Sequence, residues 1–353
     1  MKIQAVVLVG GQGTRLRPLT DSRPKPMMSL VDRPFVAHQL DHLVRAGITD
    51  VVFSCGYRPD ALQDYFGDGS DFGVQMGYVV DPEPLGTAGA VKNAESELDA
   101  DRLVVFNGDI LTDLDLGAMI EAHAASGAIG SIALTPVEDP SAFGLVRLHE
   151  DLSVEEFVEK PSADELRPGE PYRINAGTYV LERAALDHIP AGKKVSIERE
   201  TFPAIAAEGG LYGYPSECYW RDIGTPASYL DANVDVLAEA VRSKSPTPGP
   251  FIGEGASVSG ATIADDVCVG PLAQIHSGAT VVRSVIGARC SIGDGAKVEG
   301  ALLGDDVIVE PGARVEPGSV IGDGAAIAAG VTVADVVPTG GVAAAEGSLF
   351  GSH

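Results

Sequence analysis

The residues best equipped for chemistry stand near the front of the chain, at 10–20, which read GGQGTRLRPLT. Gly10, Gly11 and Gly13 free the backbone to approach an anion closely, with its N–H groups turned toward it. Thr14 and Arg15 follow at once, Arg17 comes next, and Lys25 lies in SRPKPMM. The apolar run KIQAVVLV ahead of the glycines reads as a buried strand. A buried strand that ends in glycines and then in guanidinium groups suits a phosphate. Two better-known loops are excluded. The dinucleotide fingerprint needs a third glycine where Leu16 stands, and the Gly-Lys-Ser/Thr of a Walker A loop occurs nowhere.

Two carboxylates stand out further on. RLVVFNGD ends in Asn107, Gly108 and Asp109, where its strand should stop, and CYWRDIGTP holds Asp222. Mg²⁺ prefers one or two carboxylates together with phosphate oxygens and water, so both are candidate ligands. By position alone, Asp109 reads equally well as an ordinary aspartate at a strand end. Glu159 and Lys160, in VEKP, read alone as a solvated pair beside a proline turn.

The elements that must position these groups follow from periodicity. Phe35, Val36, Leu40, Leu43 and Val44 recur at helical spacing over 33–46, and Gly47 stops the helix. Strands are expected at 51–55 and 74–80, with a short helix at 61–66 between them. DPEPLGTAGAVKNAESEL then feeds a helix starting near Thr87. Alternating strands and helices give a mostly parallel α/β sheet, whose ligands collect outside the carboxyl ends of the strands. The glycine loop and Asp109 both sit at such ends. Residues 144–161 read as a hairpin turning at HED, 172–181 as a strand, 196–207 as an amphipathic helix, 228–242 as a helix, and 243–250 as a linker.

Beyond the linker lies an internal repeat. Fifteen aliphatic residues run from Ile252, Val258, Ile263 and Val269 to Val333, eleven steps being of six residues and three of five. Gly, Asp, Pro and small residues fill the gaps. This is the hexapeptide pattern of a left-handed parallel β-helix of about five coils.

Composition sets the bounds. A chain of 353 residues, 45% hydrophobic, has room for two domains. A net charge of −25 repels nucleic acid and anionic membranes alike, so a phosphate ligand needs local cations or a metal. No signal peptide and no membrane-spanning run are expected, and Cys55, Cys218, Cys268 and Cys290 form no C-x-x-C pair. Free thiols in a reducing cytoplasm are expected.

GTRLRPLT, LGTAGA, NGD, EKP, NAG and WRDIGT together resemble the signature of the sugar-phosphate nucleotidylyltransferases, which join a nucleoside triphosphate to a sugar 1-phosphate. The resemblance spans nearly the whole chain and is greatest to the mannose-1-phosphate guanylyltransferases and related glucose-1-phosphate enzymes. It implies a Rossmann-like mixed α/β sheet in a catalytic domain over 1–242, a linker at 243–250, a left-handed β-helix over 251–337, and a cap or flexible tail at 338–353. It also implies Mg²⁺ on Asp109 and Asp222, Arg15 on the departing pyrophosphate, and Lys25 on the phosphates. Lys160 would hold the attacking sugar phosphate and Glu159 the sugar hydroxyls, with Gly144, Asn175 and Gly177 completing that side. Gly86, followed by Thr87, matches the glycine that lets the base lie against the backbone; Arg17 reads as a surface residue.

In the reaction so implied, a sugar phosphate oxygen attacks the α-phosphorus and pyrophosphate leaves from the opposite side, so catalysis is positioning and charge neutralisation. Relatives that use thymidine or uridine triphosphate carry a glutamine where this chain has Asp81 and Glu83. Carboxylates only accept hydrogen bonds, which suits the adjacent N1–H and N2–H₂ donors of guanine. The expected product is GDP-mannose, with glucose 1-phosphate, or ATP, UTP or dTTP as donor, as alternatives. Two rivals are weaker. An acyltransferase needs a histidine base and a protruding loop, yet the repeats offer only His276, besides the terminal His353. A non-catalytic regulatory subunit should have lost the glycine loop, Asp109 or Lys160, and this chain retains all of them. The β-helix reads best as an oligomerisation or regulatory platform, making a homo-oligomer the expected state.

Overall fold

The computed structural model describes residues 1–56, 59–167, 169, 171–344 and 349–350. Contacts divide the chain into two compact units, neither of them contiguous. The first is Met1–Gly11 with Gln39–Trp220, and the second is Gln12–His38 with Arg221–His353.

The first unit is built on one mixed sheet. Its strands are β1 (Ile3–Leu8), β2 (Asp50–Cys55), β3 (Gln75–Val80), β4 (Arg102–Asn107), β5 (Gly130–Pro136), β6 (Gly144–Leu148), β7 (Val154–Glu159), β8 (Arg173–Glu182) and β9 (Leu211–Pro215). They lie in the order β7-β6-β8-β4-β1-β2-β3, with β5 and then β9 continuing from β8. The neighbours β3-β2-β1-β4 are parallel, while β8 runs antiparallel to β4. The lateral order therefore reverses between β1 and β4, where Leu8 lies opposite Asn107. A crevice opens at such a reversal. The helices are α1 (Phe35–Arg45), α2 (Pro59–Phe66), α3 (Gly86–Asn93), α4 (Leu116–Ser126) and α5 (Phe202–Ala207). Apolar side chains from the sheet and helices, among them Val6, Leu103, Val105, Tyr179, Ile197 and Phe202, form one buried cluster.

The helix expected over 196–207 is present but starts with a wider turn at Ile197–Thr201, where the Thr201 N–H reaches back to Ser196 O at 3.4 Å. Pro203 has no N–H to donate, so the α-helical ladder does not run back through this turn.

In the second unit, α6 (Pro226–Leu237) starts under a Thr225 cap with proline in its first turn. It ends five residues earlier than expected, because Glu239 adopts φ 57° and breaks the helical path. Each of the fifteen repeat aliphatics then falls in a strand of two or three residues, from Phe251–Ile252 to Thr332–Val333. These strands stack in three parallel sheets, as a left-handed β-helix requires. Val269, Ile275, Val281, Ile286, Ile292 and Val298 point inward and are at most 1% exposed. The stack continues through Val336–Val337 and Val342–Ala343, and Leu349–Phe350 pairs antiparallel to the latter. Part of the tail expected as a cap, His353 included, lies outside the described residues. Among the described residues no helix is long and apolar enough to cross a membrane. Cys55, Cys268 and Cys290 are buried free thiols, and Cys218 is half-buried.

Candidate active site

The ends of β1 and β4 are tied together by a hydrogen bond from Gly108 N–H to Leu8 O at 2.9 Å. A Cβ on Gly108 would overlap that same carbonyl, so only glycine allows the approach. Asp109 follows, half-buried, on the turn this contact creates. Gln39 of α1 clamps the turn from behind: its Nε2 donates to Asn107 O and to Ile110 O, both at 2.9 Å. Sequence reasoning missed Gln39. The available signal was a polar residue among Val36, Leu40 and Leu43 on a helix, where a buried amide must find partners.

Asn175 and Gly177 border the same turn. The pairing of β8 with β5 shifts register between Asn175 and Tyr179. Asn175 holds the bulge by accepting from Gly177 N–H at 2.9 Å and donating to Tyr179 OH at 3.0 Å. Gly177 has φ 70°, and a Cβ there would stand 2.9 Å from Asn107 Nδ2. The Trp220 indole donates to Ala176 O at 2.9 Å, closing the bulge.

At the hairpin, Glu159 pairs opposite Gly144. A side chain on Gly144 would crowd Glu159 Oε2 at 3.1 Å and the Phe157 ring at 2.8 Å. Lys160 leaves the strand with φ 53°, its N–H bonded to Phe143 O at 2.9 Å and its side chain exposed. A lysine in the left-handed region is uncommon and carries a backbone cost. Arg199 Nη2 lies 3.8 Å from Glu159.

The three glycines after β1 differ in circumstance. Gly10 packs on Gly56, with 3.3 Å between its notional Cβ and Gly56 N, and Asp81 Oδ2 at 3.9 Å. Gly13 needs its left-handed φ of 63°. Gly11 is exposed, lies outside the left-handed region, and has nothing within 4 Å of its notional Cβ. Asp81 is half-buried and accepts from Asn93 Nδ2 at 3.0 Å. Burial pushes its carboxyl above the usual aspartate range, with Asn93 opposing. Glu83 is exposed. Gly86 has φ 72° and faces Val195 O, 2.6 Å from its notional Cβ. The Thr87 hydroxyl accepts from Ile197 N–H at 2.8 Å and donates to Glu198 at 2.9 Å. The structure thus gives Gly86 and Thr87 a packing duty in seating α3 that the sequence did not disclose.

In the second unit, Gly13 launches a one-turn helix at Thr14–Leu16, with Leu16 fully buried and Thr14 and Arg15 exposed. Thr20 Oγ1 closes the loop on Gly13 O at 2.9 Å. Lys25 is buried, its Cβ 3.0 Å from the notional Cβ of Gly13. The Arg15 guanidinium and the Asp222 carboxylate converge on Gly224, where a side chain would overlap both. Asp222 Oδ1 accepts from Gly224 N–H at 2.6 Å. Arg221 is held by Asp231 at 3.0 Å and Asp235 at 2.7 Å, leaving Asp222 as the acidic group beside Arg15. Arg17 is exposed and pairs with Asp21 at 3.3 Å, as a surface arginine does. Among the described residues no three His, Cys, Asp or Glu side chains gather as a metal cluster.

The glycines that follow β1 and the aspartate that follows β4 leave neighbouring parallel strands at the sheet's topological switch, the place where α/β proteins bind their ligands. The family model described as Nucleotidyl transferase matches residues 4–239, and a second, GMPPB C-terminal domain, matches 248–342. The chain belongs to the nucleotidyl transferase family. It is 41% identical to the mannose-1-phosphate guanylyltransferase of Mycobacterium tuberculosis, over 81% of this chain and 80% of that one. It is 37% identical to mannose-1-phosphate guanylyltransferase 1 of Arabidopsis thaliana, over 82% and 81%. Among solved structures, HddC from Yersinia pseudotuberculosis complexed with GMP-PN aligns with a TM-score of 0.56 at 29% identity, covering 66% of this chain and 98% of that one.

Proposed function

We propose that the chain transfers the guanylyl group of GTP to mannose 1-phosphate, giving GDP-mannose and pyrophosphate. The observation that carries this reading is the 41% identity over four-fifths of both chains to a mannose-1-phosphate guanylyltransferase. The likeness to HddC, solved with GMP-PN, supports the guanine base.

The exposed Arg15 neutralises the departing pyrophosphate, its planar permanent charge matching a dispersed anion, and Lys25 braces the phosphates from beneath. Gly11, with no packing duty, lets the backbone come close to a phosphate. Asp81 accepts from the guanine edge, a task its position near Gly10 supports better than the exposure of Glu83 does. Lys160 holds the attacking phosphate, and Glu159, Gly144, Asn175 and Gly177 position the sugar.

Nucleotidyl transferases of this family use a divalent metal. The donor chemistry fits Mg²⁺, which prefers one or two carboxylates: Asp109 and Asp222 would supply them, and phosphate oxygens and water would fill the remaining positions. When bound, Mg²⁺ supplies charge neutralisation on the phosphates. The reading extends to a cytoplasmic homo-oligomer assembled through the β-helix. Exposed apolar side chains on the coils, Leu272, Ile308 and Val336, support that assembly.

Pyrophosphate release should be measured with Mg²⁺ across GTP, ATP, UTP, CTP and dTTP, each with mannose and glucose 1-phosphates. Turnover confined to GTP and mannose 1-phosphate is expected. A faster thymidylyl or adenylyl transfer to glucose 1-phosphate would overturn the substrate assignment.

A further inference from the structure

The segment 12–38 carries Arg15 and Lys25, yet its contacts group it with the β-helix. Leu16, Leu19 and Met28 from the segment share a buried cluster with Tyr229 and Leu230 of α6 and with Leu302 and Val320 of the coils. That apolar contact is incomplete. A cavity of about 390 Å³ runs beneath it, lined in part by Leu19, Met28, Tyr229, Phe251 and Ile286. Apolar contact along such a pocket is non-directional, so it leaves the segment's exact position to polar bonds.

Arg23 stands at the edge of the same cavity. Its Nη2 donates to Asp305 Oδ2 at 2.6 Å and lies 3.5 Å from Asp323 Oδ2. The neighbouring Ser22 hydroxyl also donates to Asp323. Both carboxylates are themselves wired into the coils. Asp305 Oδ1 accepts from Ala288 N–H at 3.0 Å, and Asp323 Oδ1 accepts from Asp305 N–H at 2.8 Å. Arg289 approaches Asp305 at 3.6 Å. A directional, charge-assisted bond thus joins rigid turns of the β-helix to a residue two positions before Lys25.

We propose that Arg23 is a positioning residue for nucleotide binding: locked by Asp305 and Asp323, it sets the register of the segment bearing Arg15 and Lys25, so that the β-helix acts directly on triphosphate affinity. This rests on the reading above that Arg15 and Lys25 hold the triphosphate.

The test uses the full chain with Arg23→Ala, Arg23→Lys, Asp305→Asn and the Arg23→Ala/Asp305→Asn double variant. Arg23→Ala should raise KM for GTP roughly tenfold, the scale at which a displaced supporting group acts. KM for mannose 1-phosphate should stay within about twofold, because the carboxylates that hold Arg23, Asp305 and Asp323, are not among the residues assigned to the sugar. Arg23→Lys should recover part of the loss, and the double variant should be no worse than Arg23→Ala alone. An unchanged KM for GTP would overturn the proposal, as would an equal rise in both KM values tracking a fall in Tm. Failure of the substrate assignment shows differently, as a wild-type chain inactive with GTP. The clamp is then read from amide hydrogen exchange. Leu16, Leu19 and Met28 should exchange faster in Arg23→Ala while β4 is unchanged, and identical exchange in the two proteins would overturn it.

Discussion

The turn after β4 and the segment after β1 both leave the carboxyl edge of one sheet, one presenting Asp109 and the other Arg15 and Lys25. The turn is short and held by its immediate surroundings: Gly108 against Leu8, Gln39 on both flanking carbonyls, and the β8 bulge alongside. The segment is long, and its anchors come from residues some 200 to 300 positions away, at Asn233, Asp305 and Asp323. On the function proposed above, a carboxylate that takes a small, hard cation would gain from a turn that admits one geometry, and cations that take a triphosphate would sit on a longer segment anchored by α6 and the coils.

That contrast predicts a graded series of effects. Asp109→Ala should lower kcat by about a thousandfold or more, since charge stabilisation on phosphates is the largest catalytic contribution. Gln39→Leu keeps the carboxylate but frees its turn, and should cost roughly ten- to a hundredfold, mainly as a higher Mg²⁺ requirement. Titrating activity with Mg²⁺ checks both; a Gln39→Leu enzyme with wild-type metal dependence would erase the distinction between a clamped turn and an adjustable segment.

Glycine substitutions sharpen it from the side of stability. Gly108→Ala drives a Cβ into the Leu8 carbonyl and should cost about 2 kcal/mol or more, read by denaturant unfolding. Gly11→Ala meets nothing and should stay within about 0.5 kcal/mol of wild type while raising KM for GTP. Equal stability losses at the two sites would show that the glycines serve the fold alone.

The smallest effect is a pH dependence at Asp81. Burial raises its carboxyl above the usual 3.8, so between that value and the raised one the unfolded chain is ionised while the folded chain holds a proton. Stability contributed by this group therefore falls as pH rises through that window. Guanine recognition has the opposite sign, needing the carboxylate, and GTP-over-ATP preference should shrink as pH falls toward the raised value. Asp81→Asn should flatten both profiles, measured by unfolding and by competing the two donors.

Much of this was legible in the sequence because it is written locally. One aliphatic per flat face gives the β-helix away, and apolar runs ending in GG or NGD mark the strand ends. The rest depends on partners distant in the chain. Nothing in GGQG distinguishes Gly11 from Gly10, since Gly56, which crowds Gly10, arrives from another strand. Gln39 and Arg23 each look like ordinary polar residues until the carbonyls and carboxylates they meet are in place. The early end of α6 is equally silent, because Glu239 carries no glycine or proline to announce its left-handed turn.

The discontinuous second unit also bears on how the protein is made and how its parts can be exchanged. A ribosome delivers residues 12–38 first and the residues that bind them last, more than two hundred codons later. Residues 12–38 of a nascent chain therefore wait without α6 and the coils while the strands of the first unit are already made. Cutting or grafting at residue 242, where composition suggests a clean seam, would take Asp305 and Asp323 from Arg23 and strip Leu302 and Val320 from the cluster that Leu16, Leu19 and Met28 share with α6. The hexapeptide coils are a late-arriving support of segment 12–38, and recombination that treats them as a separate cassette should yield chains that are soluble only with difficulty.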